Sequence, residues 1–474
     1  MDQGEAASGG DVAAFGYRQE LKRALGLFDL LIYGLVFIVP IAPFSVFGFV
    51  FNASQGMVPL IYLVGLGAMM FTALSYVTQT RTFPVAGSVY AYASRGIGES
   101  AGFLAGWAML LDYLLLPTMV YVICAVAMIV VAPGVPKLVW LIAFLGFNTG
   151  VNLIGIEATA QLNKILLVLQ LMLLAAFFVL GVIALMHGAA GAHLTLAPLW
   201  DPAKVNPSLI FGALSLAAVS FLGFDAISTL SEEAKGGASA VGIATVLSLV
   251  LAALLFIAQT YLASLFVLGH ASFPPGDASA NAFYTIAYIV GGEPFRLAVA
   301  VLGVLFSGLA AALAAQAGTA RLIYSMARDG KLPRALAKID AKRQSPQRAI
   351  LLVAVVTLVL GVAMIDHLQL LVSLVNFGAL FGFLMLHLSV LVHHAWRGRS
   401  RRFLMHLVVP VIGFCVIGYV LFNAETQAKI LGSVWLTVGV AILLALKARG
   451  QSATLPAEEI EPLQFEEGDR INPL

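Results

Sequence analysis

The chain has 474 residues, of which 61% are hydrophobic and only 11% are charged, with a formal net charge of +2. Soluble domains contain about 45–50% apolar and about 25% charged residues, so this chain has too few charges to cover a water-exposed surface. Soluble enzymes, nucleic-acid-binding proteins and disordered chains are excluded. The apolar runs are far longer than the alternating strands of outer-membrane barrels, and the sequence therefore predicts an all-α membrane protein.

The N-terminal segment is polar and rich in Gly and Ala, and it lacks the basic and apolar regions of a cleaved signal. We therefore predict a disordered tail over 1–16, a single membrane domain over 17–447 and an acidic cytoplasmic tail over 448–474. The domain contains twelve apolar segments long enough to cross a bilayer. Their approximate limits are 27–51, 59–79, 101–132, 138–156, 162–187, 207–231, 241–268, 295–325, 349–365, 368–394, 405–422 and 430–447.

Lys and Arg are distributed unevenly over the loops between these segments. With the N-terminus in the cytoplasm, 22 of the 26 Lys and Arg residues fall in cytoplasmic segments. The residues left on the opposite side are Lys137, Lys204, Arg296 and Lys429. Because cytoplasmic loops of membrane proteins carry an excess of Lys and Arg, this bias predicts that both termini are cytoplasmic and that the number of spans is even.

Two spans carry residues that interrupt a helix in mid-membrane. Span one contains Pro40 and Pro43, closely followed by Ser45, and each proline removes a backbone donor and clashes with the preceding turn. Span six contains Gly223 beside Asp225. Irregular backbone is tolerated in a membrane only where it lines a cavity or faces protein. Matching interruptions in two halves of a chain are typical of a transporter binding site.

The two interrupted spans open successive blocks of five segments, at about 27–187 and about 207–394. Since five is odd, the second block has the opposite orientation in the membrane. The sequence thus predicts a five-plus-five inverted repeat with broken helices 1 and 6, followed by two peripheral helices at about 405–447. For either span alone, a simple kink beside a packing residue is the alternative interpretation.

Two acidic residues lie within predicted spans, Asp112 in span three and Asp225 at the break in span six. A charge in mid-membrane costs about 3 kcal/mol or more, so both side chains are expected to face the interior of the helix bundle. With no Lys or Arg deep in the membrane, each carboxylate is protonated, paired with a cationic substrate or hydrogen-bonded to hydroxyls. Glu232 and Glu233 close span six at the cytoplasmic side, where they form either a gate or a solvated surface.

The sequence contains no pattern typical of an enzyme site, such as His-Glu-x-x-His, Cys-x-x-Cys or a Walker glycine loop. We expect no cofactor and no bound metal. No segment resembles an ATP-binding domain, so energy for transport would come from a gradient. A channel is disfavoured because no short filter motif or ring of charged residues is present.

Several runs of residues resemble the amino acid–polyamine–organocation superfamily of permeases. They are Phe83-Pro84-Val-Ala-Gly87-Ser88-Val-Tyr90-Ala-Tyr92, Phe221-Leu-Gly223-Phe224-Asp225 and Arg321-Leu-Ile-Tyr324-Ser-Met-Ala-Arg328-Asp329-Gly330-Lys-Leu-Pro333. The bacterial putrescine importer branch is similar in Leu111-Asp112-Tyr113-Leu-Leu-Leu-Pro117, Ser220-Phe-Leu-Gly-Phe-Asp225 and Asn376-Phe-Gly378-Ala379-Leu380. The resemblance covers about residues 20–447 and implies a secondary active transporter of the bacterial inner membrane.

Three departures from the family pattern bear on the substrate. Amino acid members usually have a glycine-rich break in helix one, whose free N–H groups bind the substrate carboxylate, whereas Pro40 and Pro43 provide no N–H. Gln170 stands where several amino acid members have a lysine, and Ser45 stands where the putrescine branch has an acidic residue. With two intramembrane carboxylates retained, the resemblance implies import of putrescine or a related amine or polyamine.

The substrate site is expected between the two breaks, about midway through the bilayer. The predicted substrate contacts are Pro40, Ile41, Ala42, Pro43, Ser45, Asp112, Tyr113, Ser220, Phe221, Gly223, Phe224 and Asp225. Asp225 is expected to couple to the proton and Asp112 to anchor the distal amine, with proton coupling also open to Asp112.

The expected partners are a small cationic amine or amino acid, protons and membrane lipid. Import is driven by the proton gradient, the membrane potential or both, since predicted helix eight offers Ser307 and Thr319 but no adjacent hydroxyl pair for sodium. Two alternatives stay open: an amino acid permease of the same superfamily, and a transporter-like sensor with little flux.

Overall fold

The computed structural model describes residues 25–83, 88–154, 159–231, 234–306, 311–328, 332–338, 340, 346–398 and 400–448. The described residues form sixteen α-helices, with no β-structure apart from one bridge between Leu25 and Ala234. The predicted all-α fold is therefore confirmed. The predicted N-terminal tail, the predicted C-terminal tail beyond Ala448 and the predicted gate of Glu232 and Glu233 lie outside the described residues.

In chain order the helices are α1 Leu27–Ile38, α2 Pro43–Ser54, α3 Val58–Thr82, α4 Ser88–Gly96, α5 Glu99–Val131, α6 Lys137–Ile154, α7 Thr159–Met186, α8 Pro207–Ala217, α9 Gly237–Leu265, α10 Asp277–Ala280, α11 Ala282–Val304, α12 Ala312–Arg328, α13 Gln347–Met364, α14 Leu368–Val390, α15 Val409–Phe422 and α16 Thr426–Ala448. Short 3-10 segments follow α8, at Ala218–Phe221 and Asp225–Leu230. The π-helical turn Leu391–Arg397 extends α14, and another, Leu404–Val408, leads into α15.

Nine helices of the described part are long and apolar enough to cross a membrane, and a tenth span results if α1 and α2 are taken together. Two shorter apolar helices, Lys137–Leu153 and Pro207–Phe221, coincide with the fourth and sixth predicted spans. The predicted boundary between spans nine and ten at Asp366-His367 is confirmed, since α13 ends at Met364 and α14 begins at Leu368. The total of twelve spans stays a prediction.

The predicted eighth span, 295–325, begins next to a turn of the chain in the structure. Helix α11, Ala282–Val304, consists of two helical pieces joined at Gly292, which has φ +69°, just before Pro294. A glycine adopts this conformation without steric cost, so the chain changes direction there. The second piece starts close to the predicted start of the span, and Ala282 begins a separate helical piece before it.

Helices of the first predicted block pack on their counterparts in the second: α2 on α8, α3 on α9, α5 on α12 and α6 on α13. The inverted repeat predicts such pairs and itself stays a prediction. Helix α5 also packs along α14. In the most apolar 18-residue stretch of α5, 61% of the residues are buried, against 17% in the corresponding stretch of α16. Helix α5 therefore lies in the core and α16 at the periphery.

Candidate substrate-binding site

The first break lies between α1 and α2, which are bent by 55° relative to each other. Helix α1 ends at Ile38, and Val39 adopts the left-handed region with φ +58°. Helix α2 then begins at Pro43, a favourable first position because proline lacks the N–H that a helix start leaves unpaired. The interruption predicted from Pro40 and Pro43 is therefore present.

The backbone of the first break is bound mainly by the chain itself. Its N–H groups donate to carbonyls three residues earlier, Ala42 to Val39 at 2.8 Å, Phe44 to Ile41 at 3.0 Å and Ser45 to Ala42 at 3.3 Å. The carbonyl of Pro40 accepts a hydrogen bond from Nε2 of Gln259 in α9 at 2.9 Å. Since these N–H groups are engaged, the start of α2 offers few donors to an anion.

The second break follows α8, which ends at Ala217 and continues as a 3-10 turn to Phe221. Gly223 has φ +112°, in the left-handed region that favours glycine. A Cβ atom on Gly223 would lie 2.8 Å from the backbone carbonyl carbon and oxygen of Phe37, near the end of α1. The two breaks therefore touch each other, and the contact requires a residue without a side chain.

Asp225 binds the backbone amide of Gly223 at the second break. Its Oδ1 accepts a hydrogen bond from the N–H of Gly223 at 3.1 Å. The residue is 7% exposed. It begins the 3-10 segment Asp225–Leu230, which has no side-chain cap. An anion that approaches the Gly223 amide would therefore meet the chain's own carboxylate.

Asp112 lies within the continuous helix α5 and is 6% exposed. Its Oδ1 has no hydrogen-bond partner among the described residues. Asp225 is close enough for its charge to act on Asp112, Tyr113 and Tyr76. The structure therefore brings the two predicted carboxylates together in one buried region. Because buried polar atoms nearly always have a partner, the Asp112 oxygen is a natural acceptor for a donor on a ligand.

Phe221 and Phe224 are completely buried and pack against aromatic rings of neighbouring helices. The ring centroid distances are 5.8 Å from Phe221 to Tyr62, 5.5 Å from Phe221 to Phe256, 5.9 Å from Phe224 to Tyr76 and 5.7 Å from Phe224 to Phe383. These contacts anchor the second break against α3, α9 and α14. Both phenylalanines thus belong to the packing around the break, whereas Tyr113 is only partly buried.

The predicted residues Ile41 and Ser45 lie in a different group. Together with Cys124 and Tyr284 they line a cavity of about 20 Å³, which is room for about one water molecule. Neither carboxylate of the site lines this cavity. Ile41 and Ser45 therefore share this small cavity with residues of α5 and α11 and not with the two carboxylates.

A larger cavity, of about 200 Å³, lies on the side that the charge bias assigns to the outside. Its lining includes Asp277, Asp366 and Glu425. Lys137 forms ion pairs with Asp277, at 3.1 Å, and with Asp366. Carboxylates thus line the cavity, and the ammonium group of Lys137 bridges two of them.

Three residues next to the breaks were not assigned a role from the sequence. Gln259 binds the Pro40 carbonyl, the Tyr62 hydroxyl lies 2.9 Å from Oγ of Ser220, and Nδ2 of Asn376 donates to the carbonyl of Ser215 at 2.7 Å. Gln259 and Asn376 are isolated amides in apolar spans, a pattern that indicates interior-facing polar residues. Nothing in the sequence indicates the partner of Tyr62.

Comparison with known proteins identifies the family of the chain. The chain matches the amino acid permease family over residues 28–446. The low-affinity putrescine importer PlaP of Escherichia coli (strain K12) is 33% identical over 433 residues, covering 90% of this chain and 94% of that protein. The branched-chain amino acid permease BcaP of Bacillus subtilis (strain 168) is 26% identical over 457 residues, covering 91% and 94%. The chain is therefore a multi-pass transporter that belongs to the amino acid permease family of the amino acid–polyamine–organocation superfamily.

Proposed function

We propose that the chain imports putrescine or a related small amine across the bacterial inner membrane, with both termini in the cytoplasm. The proton gradient, the membrane potential or both drive the import. One observation carries the proposal: N–H groups of both breaks, those of Ala42, Phe44, Ser45 and Gly223, already donate within the chain, while a carboxylate oxygen of Asp112 has no partner among the described residues.

The argument against an amino acid begins at the first break. An α-carboxylate needs several free N–H groups at a helix N-terminus. Pro40 and Pro43 have none, and the N–H groups of Phe44 and Ser45 already donate within the turn. A substrate carboxylate would have to break these hydrogen bonds before it could bind.

The second break disfavours a carboxylate for an electrostatic reason. Asp225 already accepts a hydrogen bond from the Gly223 amide there, so a substrate anion would meet a carboxylate instead of a free donor. An ammonium group has the opposite requirement, because it needs acceptors. Asp112 and Asp225 together provide carboxylate oxygens on two different helical segments, as two-point binding of a diamine requires.

The two carboxylates are assigned different roles. Asp112 lies on a continuous helix and anchors the distal amine. Asp225 lies beside a break and couples to the proton, since a proton and an ammonium group compete for the same oxygens. Binding of the amine is thereby linked to release of the proton. Gating by Glu232 and Glu233 at the cytoplasmic side belongs to the same proposal.

The relatives support the amine more than the amino acid. PlaP, whose name describes putrescine import, is 33% identical, whereas BcaP, whose name describes branched-chain amino acid transport, is 26% identical. The relationship to BcaP is the observation that favours the second candidate, an amino acid permease.

The test is uptake of labelled putrescine, leucine and arginine into proteoliposomes under imposed potassium–valinomycin potentials. A dication that moves inward gains about 4.6 kcal/mol per 100 mV, so putrescine uptake should rise steeply with an inside-negative potential. Uptake of leucine but not of putrescine would support the amino acid permease. Binding of putrescine without flux would support a sensor.

A further inference from the structure

One turn of α14 contacts both halves of the proposed site. A Cβ atom on Gly378 would lie 2.8 Å from the carbonyl oxygen of Ala108, 2.8 Å from the backbone nitrogen of Asp112 and 3.1 Å from the Asp112 Cβ. Helices α14 and α5 are therefore in direct backbone contact at the residue that carries the unpartnered carboxylate oxygen.

The opposite side of the same turn contacts the second break. Asn376 precedes Gly378 by two residues, which is about 200° around a helix. Its Nδ2 donates to the carbonyls of Ser215 and Leu216 at 2.7 and 3.3 Å, in the last turn of α8. The side chain is 1% exposed. Since carbonyl oxygens only accept hydrogen bonds, the NH₂ group must face them and the orientation of the amide is fixed.

Phe377, the residue between Asn376 and Gly378, packs against a third helix. A Cβ atom on Gly432 in α16 would lie 2.3 Å from Cδ1 of Phe377, so the two helices are in close contact at this point. The turn Asn376–Phe377–Gly378 therefore lies between α5, α8 and α16. It joins the backbone of Asp112 on one side to the end of α8 on the other.

We propose that this turn determines the distance between Asp112 and the second break, which carries Asp225, and thereby the length of the diamine that the site accepts. The inference rests on the proposed function, because it assumes that the two ammonium groups bind at two carboxylates. Each added methylene lengthens a diamine, so a site whose width in the substrate-bound state is set by this packing distinguishes neighbouring members of the series.

Gly378→Ala tests the inference, because its methyl group would meet backbone atoms of α5 that side-chain rotation cannot move. The helices must then separate, and the distance between the carboxylates increases. Gly382→Ala is the matched control. It adds the same methyl group to the same interface one turn further along, where the nearest atom is Sδ of Met109 at 2.5 Å, the end of a flexible side chain.

The readout is the affinity of the purified full-length protein for 1,3-diaminopropane, putrescine, cadaverine and butylamine, measured by ligand-induced thermal stabilisation. Gly378→Ala should shift the cadaverine-to-putrescine affinity ratio by about tenfold in favour of the longer diamine, since a displacement of about 1 Å is costly at a geometric site. Its affinity for the monoamine butylamine should stay within about twofold, and Gly382→Ala should leave the ratio within about twofold of the wild-type value.

An equal loss for all amines in Gly378→Ala, or the same ratio change in Gly382→Ala, would overturn the inference. If Gly378→Ala does not fold, Asn376→Ser tests the turn from its other side. Without the hydrogen bonds from residue 376 to α8, the cadaverine-to-putrescine affinity ratio should move toward one. An unchanged ratio would contradict the inference. Wild-type protein that binds no diamine overturns the proposed function as well, whereas diamine binding with unshifted variants overturns only the role of the turn.

Discussion

The two broken helices are interrupted by different residues, and the difference indicates different roles. At the first break, proline fixes the backbone dihedral angle at positions 40 and 43, and Gln259 binds the freed carbonyl. At the second break, Gly223 turns the chain between two 3-10 segments, and Asp225 accepts a hydrogen bond from the Gly223 amide. A mid-helix 3-10 stretch often marks a hinge. We infer that the first break is the rigid side of the site. The second break is the side that moves, and it carries the charge of Asp225.

The carboxylates differ in the same way. Asp112 is part of a continuous helix and keeps an unpartnered oxygen within the described structure, whereas Asp225 already accepts a hydrogen bond from the backbone N–H of Gly223. The free energy of binding an ammonium group is therefore more favourable at Asp112, where no existing hydrogen bond has to be shared. The variants below test this contrast, in order of decreasing expected effect.

The largest effect is expected for Asp112→Asn. Removal of one partner of a buried charge pair costs about 3 kcal/mol, so the affinity for putrescine should fall by about 100-fold. The affinity for butylamine, which needs one carboxylate, should fall much less. Equilibrium binding of the two amines to purified protein measures both values. Diamine affinity like that of the wild type would refute the anchoring role of Asp112.

Gly223→Ala tests the contact between the breaks. The new methyl group would overlap the backbone of Phe37, and alanine is strained at φ +112°. We expect a loss of about 2 kcal/mol in stability, seen as a lower melting temperature. Gly146→Ala in α6 is the control, since a Cβ atom there meets no atom within 4 Å. Equal stability of the two variants would mean that the contact is not tight.

Asp225→Asn should leave the second break intact while it removes the coupling of transport to the proton. The Oδ1 atom of asparagine can also accept the hydrogen bond from Gly223, so the break should persist and putrescine should bind within about tenfold of the wild-type affinity. The uptake rate should no longer depend on pH, because the side chain no longer takes up a proton. Initial rates at several pH values, with the membrane potential held constant, measure this. A pH profile identical to that of the wild type would assign the coupling elsewhere.

The smallest effect is expected for Gln259→Met, which keeps the volume of the side chain but removes its donor. The carbonyl of Pro40 would lose its hydrogen bond from α9, at a cost of about 1 kcal/mol in stability. Amine selectivity should not change, because the first break is rigid through its prolines. A changed selectivity would show that Gln259 positions the substrate.

Both breaks were predictable because proline and glycine act on the backbone locally. Pro40, Pro43 and Gly223 interrupt a helix at their own positions, independently of the contacts that the rest of the chain makes. The burial of Asp112 and Asp225 followed from the cost of a charge in lipid. The helical piece from Ala282 to the turn at Gly292 was not predicted, because it is too short to cross a membrane and hydropathy identifies only spans.

The partners of the broken helices were also beyond sequence reasoning. The hydrogen bond from Gln259 to Pro40 joins residues 219 positions apart, and that from Asn376 to Ser215 joins residues 161 positions apart. Such pairs depend on which helix faces reach each other after folding. The contact of Gly378 with Asp112 is of the same kind, since a helical glycine does not indicate which backbone approaches it.

The central claim is that neither break accepts a substrate carboxylate. Ornithine is putrescine with one carboxylate added, so the ratio of their affinities for the purified protein isolates this group. Putrescine should bind at least about tenfold more tightly, because ornithine would have to displace hydrogen bonds at a break or place its carboxylate near Asp225. Ornithine binding as tight as or tighter than that of putrescine would contradict the claim and would identify an amino acid site.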